Sequence, residues 1–150
     1  MLLSQKCQYA FRGIYELAKR YGTGEPLRVC DIARVQAIPP RFLEQIFTDL
    51  RKGGFVASRR GHNGGFTLAI PPDKLTVGAI IRFIEGPLSP VACIVENGES
   101  DCSLQGHCDF AGFWERVREA LEKLYDGTTF QDLLKEAQTR SEHEVVNFTI

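Results

Sequence analysis

Long apolar runs are missing from this chain of 150 residues. The first residues, MLLSQKCQYAFRG, do not form the apolar core of a secretion signal, because Ser, Gln, Lys and Arg interrupt them. No later apolar run is long enough to cross a bilayer. These absences argue against a membrane or secreted protein, and we therefore expect a cytoplasmic one.

Catalytic motifs are missing as well. The sequence contains no nucleophile elbow, phosphate-binding loop or metalloprotease motif. Its three histidines, His62, His107 and His143, fall in three separate segments. Because catalysis needs a base and a nucleophile positioned together, we expect that the protein is not an enzyme.

Paired C-x2–4-C knuckles, which are typical of structural zinc sites, are also lacking. The chain has five cysteines, and three of them stand with a histidine in CIVENGESDCSLQGHC, residues 93–108. A reducing cytoplasm disfavours a disulfide framework, so metal ligation or redox chemistry is the better interpretation of these clustered thiols. The other two, Cys7 and Cys30, have apolar neighbours, and we expect both in the core.

Charge is distributed unevenly along the chain, although the net charge is only −1. Residues 1–70 contain 11 Lys and Arg against 5 Asp and Glu, which gives a net charge of +6. Residues 71–150 contain 7 against 14, which gives −7. This asymmetry indicates either a basic half that binds a polyanion or salt pairing within the fold.

The first half of the sequence predicts a winged helix-turn-helix. Apolar spacing predicts helices from about Ser4 to Tyr21 and from Val29 to Arg34, and Pro40 suits the first turn of a third helix. Two short strands, 55–58 and 66–69, follow and are joined by the loop RRGHNGG. Three helices and a hairpin in this order predict a recognition helix followed by a wing.

The second half predicts further helices around the cysteine loop. Thr76 can cap a helix that reaches Glu85, and a long helix begins near Asp109. Thr129 and Asp132 resemble a capping box that opens a final helix. The long helix carries a nearly heptad-spaced apolar stripe, which such helices bury against another helix of the same chain or of a second copy. The stripe consists of Phe110, Phe113, Trp114, Val117, Leu121 and Leu124.

We therefore expect a mostly α protein with a two-stranded wing and a long C-terminal helix that packs against another helix. Residues 1–86 form the predicted DNA-binding domain and residues 87–108 the cysteine loop. Residues 109–138 contain the long helix and a short helix, and residues 139–150 form a polar, loose tail.

Arg41, Glu44 and Gln45 are predicted to contact bases, because they share the face of the third helix opposite its apolar stripe. Arginine can pair with guanine, glutamine with adenine, and a carboxylate with the amino group of cytosine. Arg59 and Arg60 stand beside the glycine-rich wing tip and suit phosphate contacts or a narrow minor groove.

Arg28 is a candidate phosphate anchor, and His62 could add a contact from the wing. The alternative is that these side chains form an ordinary solvated surface. The combination of two helices, a basic face and a basic wing tip favours double-stranded DNA as the partner.

The run IPPRFLEQIFTDLRKGGFVASRRGHNGGFTLA, followed by LTVGAIIRFIEG and the three-cysteine loop, closely resembles the IscR/NsrR/RirA-type winged-helix regulators of the Rrf2 family. The start LSQKCQYAFRGIYELA fits the same family, and the resemblance covers about residues 1–125. It implies a bacterial homodimer that binds a palindromic operator and pairs through the long helix. Arg41 and Glu44 match positions that read bases in the family, and Arg60 matches its wing arginine.

Many members of that family hold an iron–sulfur cluster on three cysteines in this loop, and the matching residues are Cys93, Cys102 and Cys108. A cluster, of two or four irons, is the first expectation, a thiol redox switch the second and zinc the third. His107 is a candidate fourth ligand, although it directly precedes Cys108 and adjacent residues seldom both face one centre. We expect a regulator, acting as a repressor, that senses iron, redox state or nitric oxide. The alternatives are a cluster-free thiol switch and a zinc-stabilised interaction module.

Overall fold

The computed structural model describes residues 3–94, 102–104 and 106–147. Its first half contains three helices and a hairpin, in the order α1 (Gln5–Lys19), α2 (Val29–Gln36), α3 (Pro40–Lys52), β1 (Val56–Arg59) and β2 (Gly65–Leu68). The hydroxyl of Ser4 caps α1 by accepting a hydrogen bond from the N–H of Cys7 at 3.1 Å. This order is the winged helix-turn-helix that the sequence predicts, and the prediction is confirmed.

The core of this half lies between α1 and α3. All four residues of the stripe predicted for α3 are buried, namely Leu43, Ile46, Phe47 and Leu50. A Cβ atom at Gly13 of α1 would lie 2.6 Å from the ring of Phe47. Glycine at this position therefore permits the close approach of the two helices.

Main-chain hydrogen bonds attach the wing to the helices. Strands β1 and β2 are antiparallel, with Val56 opposite Leu68. Leu27, just before α2, adds one more pairing, because its N–H and carbonyl exchange hydrogen bonds of 2.9 and 2.8 Å with Phe66. A Cβ atom at Gly65 would lie 2.4 Å from the carbonyl oxygen of Leu27, so this pairing requires glycine there.

The second half contains α4 (Val77–Glu85), a short 3-10 helix (Ala92–Ile94), α5 (Ala111–Gly127) and α6 (Phe130–Asn147). The predicted caps are confirmed: Thr76 accepts from the N–H of Ala79 at 3.1 Å, and Thr129 and Asp132 bond each other reciprocally. Helix α6 continues through Asn147, beyond residue 139, where the sequence predicted that a loose tail begins. Residues 148–150 lie outside the described part.

Helix α6 returns to the first half and closes its core. Phe130 is completely buried, and its ring centroid lies 5.9 Å from that of Phe11 in α1. The N–H of Phe130 also donates to the carbonyl of Leu75 at 3.0 Å. The core of the predicted domain 1–86 is therefore completed by residues from the end of the chain.

One helix boundary and one burial prediction differ from the structure. Helix α1 ends at Lys19 and not near Tyr21, which is 47% exposed. Cys30 is exposed, because Val29, Ile32 and Ala33 form the buried face of α2 and Cys30 is turned about 100° away from its neighbour. Along the part of the chain that the structure describes, no helix is long and apolar enough to cross a membrane.

Candidate DNA-binding surface and cysteine loop

The N-terminal half of α3 presents a polar face to solvent. Arg41, Glu44 and Gln45 are all exposed on it, because the helix buries the opposite side in the core. Pro40 begins the helix with its ring at the first helical position. The fold thus brings together a guanidinium, a carboxylate and an amide, the three groups that the sequence predicted as contacts to bases.

A carboxylate at the edge of this face joins α3 to α1. The amide nitrogen of Gln45 donates to Oδ1 of Asp49 at 3.2 Å, and the ammonium of Lys6 donates to Oδ2 at 2.9 Å. The hydrogen bond from Lys6 is the main cause that lowers the pKa of Asp49 below its usual value. Asp49 is therefore ionised at neutral pH and accepts hydrogen bonds from two donors.

The wing presents Arg59, Arg60 and His62 to solvent, as the sequence predicted. Gly64 closes its tip, since a Cβ atom there would lie 2.3 Å from the carbonyl oxygen of Arg59. The two arginines therefore stand at the turn of a tight hairpin.

Arg28 occupies a different position from the one expected of a simple phosphate anchor. Its guanidinium donates to the backbone carbonyl of His62 and lies 3.4 Å from Nδ1 of the same residue. Arg28 therefore fastens the wing tip to the start of α2. A phosphate contact by its other donors stays a prediction.

The structure describes the cysteine loop in part, because residues 95–101 and Gln105 lie outside the described ranges. Cys93 belongs to the 3-10 helix, and Cys93, Cys102 and Cys108 are each partly exposed. The carbonyl of Cys108 accepts from the N–H of Ala111, the first residue of α5, at 3.1 Å. His107 is exposed. Within the described ranges, no three His, Cys, Asp or Glu side chains converge on a common metal site.

The loop is anchored where it leaves α4. Leu88 is 2% exposed and packs in a small cluster with Ile81 and Cys7 of α1. Burial, followed by the charge and the hydrogen bond of Glu85, raises the pKa of Cys7 to about 12. Cys7 is thus a protonated structural thiol, and its predicted burial is confirmed.

Helix α5 is attached to α4 by a two-bond ion pair. The guanidinium of Arg82 donates to both carboxylate oxygens of Asp126, at 2.6 and 2.7 Å, and thereby lowers the pKa of Asp126. The other side of α5 presents apolar side chains to solvent, among them Phe113 at 48% and Leu124 at 62% exposure. This exposed side contains part of the stripe that the sequence predicted to be buried.

A family model for Rrf2, with the description "iron-dependent transcriptional regulator", matches residues 3–136. The chain belongs to the Rrf2 family. The resemblance found in the sequence is thereby confirmed, and membership makes the protein a helix-turn-helix transcriptional regulator that binds DNA.

Relatives in the Rrf2 family include regulators named CymR and regulators named IscR. The HTH-type transcriptional regulator CymR of Bacillus subtilis (strain 168) is 36% identical over 150 residues, which is 100% of both chains. The solved structure of that protein, a global cysteine regulator, has a TM-score of 0.73 over 91% of this chain and 98% of its own. The structure of IscR from T. potens has a TM-score of 0.70 at 34% identity, over 91% of this chain and 88% of its own. Staphylococcus aureus CymR, solved in an oxidized form, has a TM-score of 0.67 at 31% identity, over 89% of this chain and 95% of its own.

Sequence reasoning missed the link from Lys6 to Asp49, since these residues stand 43 positions apart. The local part of the network did leave a signal. Gln45 and Asp49 have the i, i+4 spacing at which helical side chains meet.

Proposed function

We propose that this Rrf2-family protein is a homodimeric repressor of the cytoplasm whose affinity for a palindromic operator is controlled by an iron–sulfur cluster on Cys93, Cys102 and Cys108. The observation that carries the proposal is the place of these thiols in the fold. All three are partly exposed and stand in the connection from α4 to α5, and Cys108 directly precedes the start of α5.

The proposed DNA contacts follow from the exposed face of α3 and from the wing. Arg41, Glu44 and Gln45 can form hydrogen bonds with base edges in the major groove. Arg59 and Arg60 can meet phosphates or enter the adjacent minor groove. Support comes from the wing attachment, because main-chain pairing at Leu27 keeps the hairpin beside the HTH helices.

The proposed dimer forms through α5. Its apolar side is exposed in a single chain, and a second copy can cover it with the identical stripe. A two-fold dimer would present two α3 helices to two half-sites of a palindrome.

The donor set fits an iron–sulfur cluster, since three thiols in a Gly- and Ser-containing loop are the ligands that such clusters need. When bound, a cluster supplies a centre that oxidants, nitric oxide or iron shortage can alter. His107 is exposed and remains the candidate fourth ligand within the loop. Cys7 does not qualify, because it is completely buried and its pKa is raised to about 12.

The connection between the loop and the DNA-binding surface is mechanical. Leu88 anchors the beginning of the connection to α1, and Cys108 lies at the beginning of α5. A change in the conformation of residues 93–108 would therefore alter how α5 is held against the first half of the chain. Because both half-sites must be met together, operator affinity depends on the resulting spacing of the two α3 helices.

The test begins with anaerobic purification, an absorption spectrum and analysis for iron, sulfide and zinc. We expect visible absorption with stoichiometric iron and sulfide, and loss of both when Cys93, Cys102 or Cys108 is changed to Ser. Cys30→Ser is the matched control, since this exposed thiol lies outside the loop.

DNA affinity is then compared between loaded and cluster-free protein at one salt concentration, on duplexes selected from a randomised library. Equal affinities would contradict control by the cluster. Colourless protein without iron after attempted reconstitution would contradict the presence of a cluster. Tightly bound zinc would indicate a zinc site instead.

A thiol redox switch is the second candidate. It is favoured by the full-length similarity to CymR, a cysteine regulator, and by the existence of a related CymR structure in an oxidized form. This mechanism predicts colourless protein that loses two free thiols on treatment with hydrogen peroxide, with DNA affinity restored by dithiothreitol. Protein that keeps all five thiols after oxidation would contradict it.

A further inference from the structure

Asp49 connects the DNA-facing side of α3 with α1. We infer that Asp49 is a positioning residue for sequence recognition, which orients the amide of Gln45 towards adenine and withholds the charge of Lys6 from the DNA backbone. This inference rests on the proposed DNA contacts of α3 and deepens them.

The orientation of the Gln45 amide follows from the chemistry of its partner. An ionised carboxylate can only accept hydrogen bonds, so the group that faces Asp49 Oδ1 at 3.2 Å is the amide nitrogen. The second N–H and the carbonyl oxygen of Gln45 stay available. One donor and one acceptor side by side are what the N7 atom and the amino group of adenine require.

Such fixing matters because a free glutamine side chain has several rotamers and two amide orientations. Ordering a flexible side chain on binding costs conformational free energy. Since Asp49 is one helical turn after Gln45, it can hold the amide before DNA arrives, and less ordering remains for the complex.

The second carboxylate oxygen of Asp49 binds the ammonium group of Lys6. The ammonium lies 2.9 Å from Oδ2, with the Lys6 side chain 41% and the Asp49 side chain 26% exposed. An unpaired carboxylate at the edge of a DNA-binding face would repel phosphates, and an unpaired lysine would attract them regardless of sequence. The pair therefore reduces non-specific attraction while it keeps Gln45 in place.

A purely structural tie between α1 and α3 would use the same contacts but gives different predictions. If Asp49 only stabilises the helix pair, its loss weakens binding to all DNA alike. If Asp49 acts as inferred, its loss separates specific from non-specific binding.

The first experiment uses full-length protein and duplexes selected by the wild type from a randomised library. The base pair read by Gln45 is the one whose preference relaxes in Gln45→Ala. We expect Asp49→Leu to reduce that preference by about fivefold or more, because one bidentate contact carries discrimination of this order. The double variant should lose no more preference than Gln45→Ala alone, since both changes remove one interaction.

The second experiment uses Asp49→Asn, which retains an oxygen that can accept from Gln45 but lacks the charge that holds Lys6. We expect the base preference to persist, binding to a scrambled duplex to become tighter, and the slope of log affinity against log salt to steepen by about one. Asp73→Asn is the matched control, because it removes one negative charge at an exposed position outside α3.

The outcomes distinguish the inference from the proposal beneath it. Additive losses in the double variant, or equal weakening on selected and scrambled duplexes, would overturn the role of Asp49 and leave the DNA-binding face intact. A wild-type protein that selects no sequence, or an unchanged preference in both Arg41→Ala and Gln45→Ala, would overturn the proposed base contacts and this inference with them.

Discussion

Helices α3 and α5 carry apolar stripes of similar regularity, but only the stripe of α3 is buried within the chain. Helix α3 buries four residues in the core, whereas α5, which is described along its whole length, has no buried residue. An apolar stripe in a sequence therefore predicts that a helix has a partner, but it does not say whether that partner belongs to the same chain.

The contacts that hold the two helices differ in kind. Phe47 of α3 fits against the bare backbone of Gly13, where shape determines the approach. Helix α5 is attached through the Arg82–Asp126 ion pair, and Arg118 bonds both Glu115 and Glu122 along its surface. Helix α3 is thus fixed by packing, while α5 combines the ion pair with packing of Tyr125 against the cluster around Leu88 and leaves an apolar side exposed.

The largest expected effect comes from disrupting the packing of α3 against α1. Phe47→Ala should lower the free energy of unfolding by about 3–5 kcal/mol, because the fully buried ring leaves a cavity between α1 and α3. Urea denaturation followed by circular dichroism measures the change. A loss below about 1 kcal/mol would mean that the α1–α3 contact is not the centre of the core.

The second largest effect tests the exposed apolar side of α5. Phe113→Glu combined with Leu124→Glu should convert the proposed dimer into a monomer, because charges replace exposed apolar groups on α5. Sedimentation gives the oligomeric state, and operator affinity should fall by about a hundredfold as the two half-sites are no longer bound together.

The control for this experiment is Lys123→Glu, which adds negative charge at an exposed position on the same helix but removes no apolar group. It should leave the dimer intact. A dimer that survives the double change would place the interface elsewhere and remove the explanation for the stripe of α5.

The smallest effect concerns the charge contact itself. Asp126→Asn should destabilise the protein by about 0.2–1 kcal/mol at pH 7, since the pair is 39% and 44% exposed and is screened by solvent. The pKa of Asp126 is lowered in the folded protein, so its contribution is present above the unfolded pKa of about 4 and is lost as pH falls through the lower folded pKa.

The difference between wild type and Asp126→Asn should therefore be constant from pH 7 to about 5 and should shrink below about 4. Denaturation curves across this range provide the measurement. A difference that grows towards low pH would show that the carboxylate is not stabilised by Arg82.

The features predicted correctly from the sequence depend on residues that lie close together within one element of the chain. The α3 stripe, the cap at Thr76 and the reciprocal bonds of Thr129 and Asp132 are all local patterns. Cys30 was misplaced because its apolar neighbours were considered without the helical period, which turns it away from Val29.

The features that the sequence could not supply depend on distant contacts. Nothing local indicates that Phe130 packs against Phe11, or that Lys6 meets Asp49. The fold prediction succeeded because each element has a recognisable pattern, whereas the orientation of the Gln45 amide needs a network that only the folded chain assembles.

The pairing of Leu27 with Phe66 has a consequence for how such a regulator can change its target sequence. Since main-chain atoms make both hydrogen bonds, the position of the wing does not depend on the side chains of Arg59 and Arg60. Substitutions at Arg59 and Arg60 can therefore accumulate or be introduced by design without refolding the hairpin. If these two arginines contact DNA as proposed, the DNA preference can change at two positions while the scaffold stays the same.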